Sequence, residues 1–403
     1  MKNHPDTAFV PAPTPTTWLH PDMGAASLTV DFLRLAGLPA AERARWARLS
    51  ARAAPGNIFA QDWFMEPALR HCGTAATLRL AVVRQASGEW LGVLPLVFEP
   101  KVGRCPLPSL HSWRATNQFL ATPLVLPGLE KAFWTGLLAR LDRGPGLALA
   151  LCCEDLPLDD PTTLALVSLC AEQGRMIETL ARFVRPARLS GTRRSGDPCA
   201  LRKLDRRLDG LERRLVQALG PVSMVIHTAA EDSEAWIAAF LALERAGWKG
   251  RERSALACSQ DNAGLFREAI RHGHRIGAAR LASLRAGDRI VAMSSWFVAH
   301  GHGFGFKMTY DEAWRPYAPG RLLMRRIGGL VAGDAPQLFD TCAPAGTPTD
   351  ALWPDTRTLG SFAIAIGSRA RRRALGAVLE ARGRWQEDRK RRAARRQEPA
   401  ESA

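Results

Sequence analysis

The chain has 403 residues, 46% hydrophobic and 23% charged, with a formal charge of +16. That length predicts two domains of about 150 residues each, and the composition is that of a core-forming protein, not a disordered or fibrous one. No apolar run reaches the ~18 residues of a membrane span, residues 1–22 lack a basic-flanked apolar core like that of a secretory signal, and the eight cysteines include no Cys-x-x-Cys pair, which predicts reduced thiols in a cytoplasmic protein.

Residues 1–25, rich in Pro and Thr, read as a leader, and residues 26–52 carry apolar residues at the spacing of one or two short helices. Leu78–Arg84 alternates like a strand, turns at Ser87-Gly88 and continues into a strand from Trp90 to Phe98, which is a hairpin signal. A helix over Leu129–Leu141, a strand over Leu147–Cys153, a helix over Thr162–Gln173 and a strand near Met176–Ala181 follow. The basic stretch 185–200, with Gly191, Gly196 and Pro198, reads as a linker, and Leu201–Leu219 as a charged amphipathic helix stopped at Gly220-Pro221.

The second half predicts a strand (222–227), a helix (233–243), a helix (263–272, closed by Gly273) and a hairpin (278–298). A strand (304–309), a helix (320–331) and a strand (337–342) complete it. Arg79-Leu80-Ala81-Val82-Val83-Arg84 followed by Gly88 resembles Arg280-Leu281-Ala282-Ser283-Leu284-Arg285 followed by Gly287, which points to a duplication. Mixed order with hairpins predicts an α+β (mixed α/β) fold and argues against a barrel or a doubly wound nucleotide fold. The expected division is 1–52 leader and short helices, 53–190 first domain, 200–362 second domain and 363–403 basic tail. Between Arg369 and Arg396, twelve Lys/Arg stand against three acidic residues, so over half of the excess charge sits in that tail. Such a run attracts anionic lipid, polymer or nucleic acid, or is simply a solvated arginine-rich helix.

Three stretches carry candidate chemistry. Both tyrosines of the chain, Tyr310 and Tyr317, fall in one segment with Asp311, just before Pro319-Gly320-Arg321-Leu322. A phenol can donate a proton or bind a developing anion, and Asp311 can orient a nucleophile or accept its proton. Pro-Gly at a helix start leaves backbone N–H groups that bind anions, phosphate included. The same residues also fit a plain turn held by Asp and Pro. Glu244, Trp248 and Lys249 form a second stretch, in which an indole platform and an ammonium can line a substrate loop; on composition alone a helix C-cap at Gly247 with a half-buried Trp accounts for them better. Asp340, at a strand end before Cys342, can aim a carboxylate at the same pocket or cap the next loop. Cys342 has no histidine partner in view and fits a small core residue better than a nucleophile. His272/His274 and His300/His302 lie in predicted turns without further ligands at set spacing, so no metal is expected.

Leu243-Glu244, Gly247-Trp248-Lys249-Gly250, Tyr310-Asp311-Glu312 and Pro319-Gly320, with Asp340-Thr341-Cys342-Ala343-Pro344 and Leu352-Trp353-Pro354-Asp355 following, resemble the CelD-like (cellulose-biosynthesis) acetyltransferases. These form a BioF-like branch of the GNAT superfamily and are related to the FemAB aminoacyltransferases. In the first half Asn57-Ile58-Phe59, Asp62-Trp63 and Gly92-Val93-Leu94-Pro95-Leu96 extend the likeness, which spans about residues 55–360. The resemblance implies tandem duplicated GNAT-like folds, acetyl-CoA or another acyl-CoA as donor, and direct attack by an amine or hydroxyl acceptor. It implies a pyrophosphate site at the helix start Pro319, Gly320, Arg321 and Leu322 and does not single out the base. The residues themselves are read as Tyr310, Asp311 and Tyr317 for proton transfer or acceptor orientation, and Glu244, Trp248, Lys249 and Asp340 around the acceptor. The acceptor expected is a sugar or lipid-linked sugar precursor, with the basic tail resting on anionic membrane. The alternatives are aminoacyl transfer from tRNA, with the positive charge as its footprint, and a non-catalytic GNAT-fold scaffold of a polysaccharide synthesis complex.

Overall fold

The computed structural model describes residues 28–377 except 54–56, 104, 191–197, 229–232 and 336. Residues 1–25, read as a leader, and residues 378–403 of the basic tail lie outside the described residues. In chain order the first half runs β1 (Thr29–Leu33), α1 (Ala40–Arg52), a 3-10 turn (Ile58–Ala60), α2 (Asp62–Cys72), β2 (Arg79–Arg84) and β3 (Trp90–Glu99). It continues with β4 (Ser109–Ser112), β5 (Leu124–Val125), α3 (Glu130–Arg143), β6 (Ala150–Pro157), α4 (Pro161–Glu172) and β7 (Ile177–Leu189). The second half runs α5 (Pro198–Leu219), β8 (Val222–His227), α6 (Ser233–Ala246), α7 (Trp248–Arg251), a 3-10 turn (Leu256–Cys258), α8 (Gln260–Arg275), β9 (Ala279–Ala286) and β10 (Arg289–Ala299). Then come β11 (His302–Tyr310), a 3-10 helix (Glu312–Tyr317), α9 (Pro319–Asp334), β12 (Leu338–Asp340), a 3-10 turn (Asp350–Leu352) and β13 (Asp355–Ala365).

One mixed sheet joins both halves in the order β1-β2-β3-β4-β6-β13-β7-β12-β11-β10-β9-β8, with β5 against β3. That order is a palindrome: exchanging β1 with β8, β2 with β9, β3 with β10, β4 with β11, β6 with β12 and β7 with β13 returns it unchanged. The chain is therefore an α+β repeat of one motif. Each half lends its last strand to the other, because β13 lies between β6 and β7, and β7 lies between β13 and β12. All neighbouring strands are antiparallel except β4 with β6 and β11 with β12, one parallel pair in each half. The sequence pairing of Arg79–Arg84 with Arg280–Arg285 places β2 opposite β9 in this symmetry.

The halves also meet through helices. α2 of the first packs on α8 of the second, with His71 Nε2 2.8 Å from Glu268 Oε1. A Cβ on Gly264 would lie 2.5 Å from the His71 ring, and one on Gly273 3.1 Å from Trp63, so both glycines set how closely the helices approach. Around them Phe59, Phe64, Phe297, Phe304 and Phe306 pack edge-on or tilted at 4.8–6.3 Å, in one core shared by both halves. Each fully buried ring contributes about 1.5–3 kcal/mol, which ties the halves into one unit.

Several expectations are corrected here. Residues 29–33 form a strand, not a helix, because they add an edge to β2 in antiparallel register. The stretch read as linker from 185 is strand through Leu189, held between β13 and β12; residues 191–197 of it lie outside the described residues. Helix α8 runs through Gly273 to Arg275, so that glycine serves packing and not a cap. His272 and His274 therefore stand on a helix and not in a turn.

Candidate active site

The second parallel pair is short. β11 and β12 match only over His302↔Leu338, Gly303↔Phe339 and Phe304↔Asp340, and then the strands separate. Gly305 is the last close approach: a Cβ there would sit 2.3 Å from the Thr341 carbonyl oxygen, so no other residue fits. Opposite this point the β10–β11 register jumps from Ser295↔Lys307 to Trp296↔Gly305, leaving Phe306 as an extra, bulged residue. A bulge bends its strand and re-aims the neighbouring side chains. The gap that opens is a cavity of about 140 Å³ bounded by β11, the segment 341–343, Met324 and Ile327 of α9, and Trp353.

Lys307 lines this gap and was not singled out in the sequence. Its Nζ donates to Asn117 Oδ1 at 2.6 Å and lies 5.1 Å from the Phe119 ring centre, both on the first-half segment after β4. Asn117 is itself held by a bond from its Nδ2 to Asn262 Oδ1 (2.9 Å). Burial, with Lys249 nearby, lowers the Lys307 ammonium to about 8 despite the opposing pull of Glu244 and Cys342. A half-buried lysine with a lowered pKa beside a strand opening is a functional-site signature. One cue was legible: a lone Lys inside the apolar run Phe304-Gly305-Phe306-Lys307-Met308.

Glu244 and Lys249 come to the same place. Glu244 is buried; its Oε1 accepts from Lys249 Nζ at 2.7 Å and its Oε2 from the Leu256 amide at 2.8 Å. Lys249 Nζ also reaches the Met308 carbonyl at 3.3 Å, on the β11 edge that lacks a strand partner past Phe304 among the described residues. Gly247 is the N-cap of α7 and not the C-cap of a left-handed turn, while Gly250 is the sterically required glycine: a Cβ there would meet the Arg245 carbonyl at 1.8 Å. Trp248 is 43% exposed, its amide bound to Glu312 Oε1 at 2.6 Å, so the indole faces outward from a pinned turn.

The tyrosine segment lies just beyond. Tyr310 ends β11 and packs near Gly320. Asp311 Oδ1 accepts the Ala313 amide at 3.0 Å, capping the 3-10 helix, and Tyr317 lies 5.5 Å beneath the Arg214 guanidinium. None of these three side chains lines the 140 Å³ gap. α9 starts after Ala318, at φ +51°, with Pro319 at its first position. The Arg321 and Leu322 amides both turn back to the Ala318 carbonyl (2.9 and 3.2 Å), so fewer donors point outward than Pro-Gly predicts. The Arg321 side chain adds a cation there: its Nε is buried without a hydrogen-bond partner, and burial with Arg207 nearby holds its pKa down. An anion is what such a pair of arginines lacks.

Asp340 is fully buried on the other side of the 341–345 segment. Its Oδ1 accepts the Cys342 amide at 2.8 Å, and Oδ2 faces Arg357 Nη1 at 3.4 Å and Arg185 Nη1 at 3.8 Å. Burial and then Asp340 push the Cys342 thiol well above its ordinary range, so it stays protonated. Among the described residues no group of three or more His, Cys, Asp or Glu side chains stands close enough to hold a metal ion, and no helix is long and apolar enough to cross a membrane.

Residues 202–343, from α5 to just past β12, match the family model described as Acetyltransferase (GNAT) domain. No curated protein matches the chain. Among solved structures the chain is similar to FemX (12% identity, 80% of this chain and 95% of that one, TM-score 0.49). It is similar also to the C-terminal domain of a putative lysylphosphatidylglycerol synthetase from Agrobacterium fabrum (14%, 83% and 95%, 0.49). A tandem GNAT protein from the clavulanic acid biosynthesis pathway is a third (18%, 84% and 98%, 0.39). Residues 202–343 are thus similar to an acetyltransferase-type domain, and the gap beside Lys307 lies at the parallel-strand opening within that match.

Proposed function

We propose that the protein is an acyltransferase that passes an acetyl or other acyl group from coenzyme A directly to an amine or hydroxyl of a cell-envelope or polysaccharide precursor. The observation that carries this reading is the half-buried Lys307 lining the gap at the β11–β12 opening, inside the segment that matches the GNAT domain. The narrow gap suits an unbranched thioester arm, and Arg321 with Arg207 at the start of α9 suits its phosphates.

In the transfer, the acceptor's lone pair attacks the thioester carbonyl, the new C–N or C–O bond forms, and the C–S bond breaks. Lys307, mostly protonated at neutral pH, offsets the negative charge that gathers on the carbonyl oxygen and holds a proton within reach of the departing thiolate. The acceptor's own proton leaves to solvent. Cys342, protonated and buried, takes no acyl group, which supports direct transfer over a covalent relay. Glu244 and Lys249 keep the outer edge of β11 in place. The motif order through residues 243–355 supports the narrower CelD-like assignment, and the basic tail supports contact with anionic membrane where lipid-linked precursors lie.

Calorimetric titration of the full chain with acetyl-CoA, a longer acyl-CoA and free coenzyme A tests the donor. Binding that weakens in Arg321→Glu is expected. Folded protein that binds none of them but binds aminoacyl-tRNA in a salt-dependent way overturns the reading in favour of aminoacyl transfer.

A further inference from the structure

A second, larger cavity of about 630 Å³ lies on the opposite side of the 341–345 segment, where the two halves of the sheet meet. Its walls come from the segment after β4 (Arg114, Phe119), from β6 (Asp155), from the start of the β7–β12 separation (Phe183, Arg185) and from Cys342. Arg185 is 5% exposed. One of its nitrogens, Nη2, donates to the Phe119 carbonyl at 2.8 Å, and its guanidinium lies 5.4 Å over the Phe183 ring. The other, Nη1, is buried with no hydrogen-bond partner. Among the described residues its ion pair is with Asp340 at 3.8 Å, and Asp340 is already shared with the Cys342 amide and Arg357. Leaving a buried charged donor unspent is costly, and such a group in a cavity wall calls for a partner.

Arg114 adds a second cation. It stands three residues past the last β4–β6 ladder position, His111, as Lys307 stands three past Phe304, so the repeat places it as the first-half counterpart of Lys307. Its Nη2 pairs with Asp155 at 3.0 Å and its Nη1 donates to the Gln118 carbonyl at 3.2 Å, while its Nε is buried without a hydrogen bond, 3.9 Å from Glu154. Phe119 joins this cavity to the donor gap, since the same ring lies 5.1 Å from Lys307 Nζ.

We propose that this cavity binds the anionic group, phosphate or carboxylate, of the acyl acceptor, with Arg185 Nη1 and Arg114 as its ligands, so that the acceptor's nucleophile extends past Phe119 toward Lys307. The proposal rests on the acyltransferase reading for the word acceptor, but the anion site stands on Arg185 and Arg114 alone. Three amino sugars that share one amine separate the sources: glucosamine 6-phosphate, muramic acid and neutral glucosamine, each titrated into the full chain by calorimetry. At least one of the two anionic sugars should bind tenfold or more tightly than glucosamine, and the one that does names phosphate or carboxylate. Arg185→Gln should abolish that preference while acetyl-CoA binding stays within twofold. Arg114→Gln, at a partly exposed side chain and so independent of any folding defect at Arg185, should weaken the anionic sugar at least fivefold. Equal binding of all three sugars, or a preference unchanged in both variants, overturns the site. Loss of the preference in the variants of a protein that binds no acyl-CoA would keep the anion site and refute the transferase reading instead.

Discussion

The two parallel-strand junctions are built alike and equipped differently. In the first, β4 and β6 match over Ser109↔Ala150 to His111↔Cys152 and then part; in the second, β11 and β12 match over three positions and part at Phe304 and Asp340. The helix that follows the first opening, α3, begins with Glu130, whose Oε1 accepts the Gly128 amide at 3.0 Å. The helix that follows the second, α9, carries Arg321 in its first turn and no acidic residue there. A carboxylate at a helix start fills the place an anionic ligand would take, whereas an arginine invites one. The cations of the openings differ as well. Arg114 is paired with Asp155, while Lys307 donates to the neutral Asn117 side chain and has its ammonium lowered to about 8. The repeat thus has two openings that differ in charge at a few positions, and that difference is what the proposed donor site at the second one rests on.

Removing the difference at Lys307 should have the largest effect. Lys307→Met is expected to lower the transfer rate by about 100-fold or more and at the same time to raise the melting temperature at neutral pH. The stability sign follows from burial: a lysine lowered to about 8 when folded binds fewer protons than the unfolded chain between roughly pH 8 and 10.4. Its cost is therefore fully present below pH 8 and is relieved as pH rises through that window, by at most about 3 kcal/mol. Denaturant melts of wild type at pH 7 and pH 9.5 should show that gain, and the methionine variant should not. Transfer itself should fall as pH climbs above 8 and the ammonium is lost.

Exchanging the helix-start charges sharpens the comparison at intermediate size. Arg321→Glu makes the second opening resemble the first and should raise the acyl-CoA dissociation constant by about tenfold, or ~1.4 kcal/mol, with kcat nearly unchanged at saturation. Glu130→Arg should leave donor binding where it was. The smallest effect lies outside both openings: Gly210, inside α5 with open space where a Cβ would go, should stabilise the fold by about 0.5–1 kcal/mol when changed to Ala, read as a shift in the urea midpoint.

Much of this was legible in the chain. The α+β class, both hairpins and the repeat of Arg79–Arg84 in Arg280–Arg285 follow from alternation and turn residues, which are local signals. β1 and the length of β7 were not legible, because each is a strand only through pairing with a distant partner, Arg84 and Asp355 among them. The exchange of β7 and β13 between the halves has no local signature at all. At the site, Glu244 and Lys249 were found through their glycine-flanked stretch and do reach the β11 edge. Lys307, Asn117, Arg114 and Arg185 were passed over, since a lysine in a strand or an arginine in a basic run gains meaning only once burial and the opposite wall are known. Asp311 looked chemical in sequence, and its carboxylate is occupied as a cap.

Hydrogen–deuterium exchange of the full chain with and without acetyl-CoA would locate the donor directly. Protection confined to residues 305–310, 319–324 and 341–343, with no change over 109–115 and 150–155, is the expected outcome. Protection at the first junction, or equal protection at both, would contradict the assignment of the donor to the β11–β12 opening.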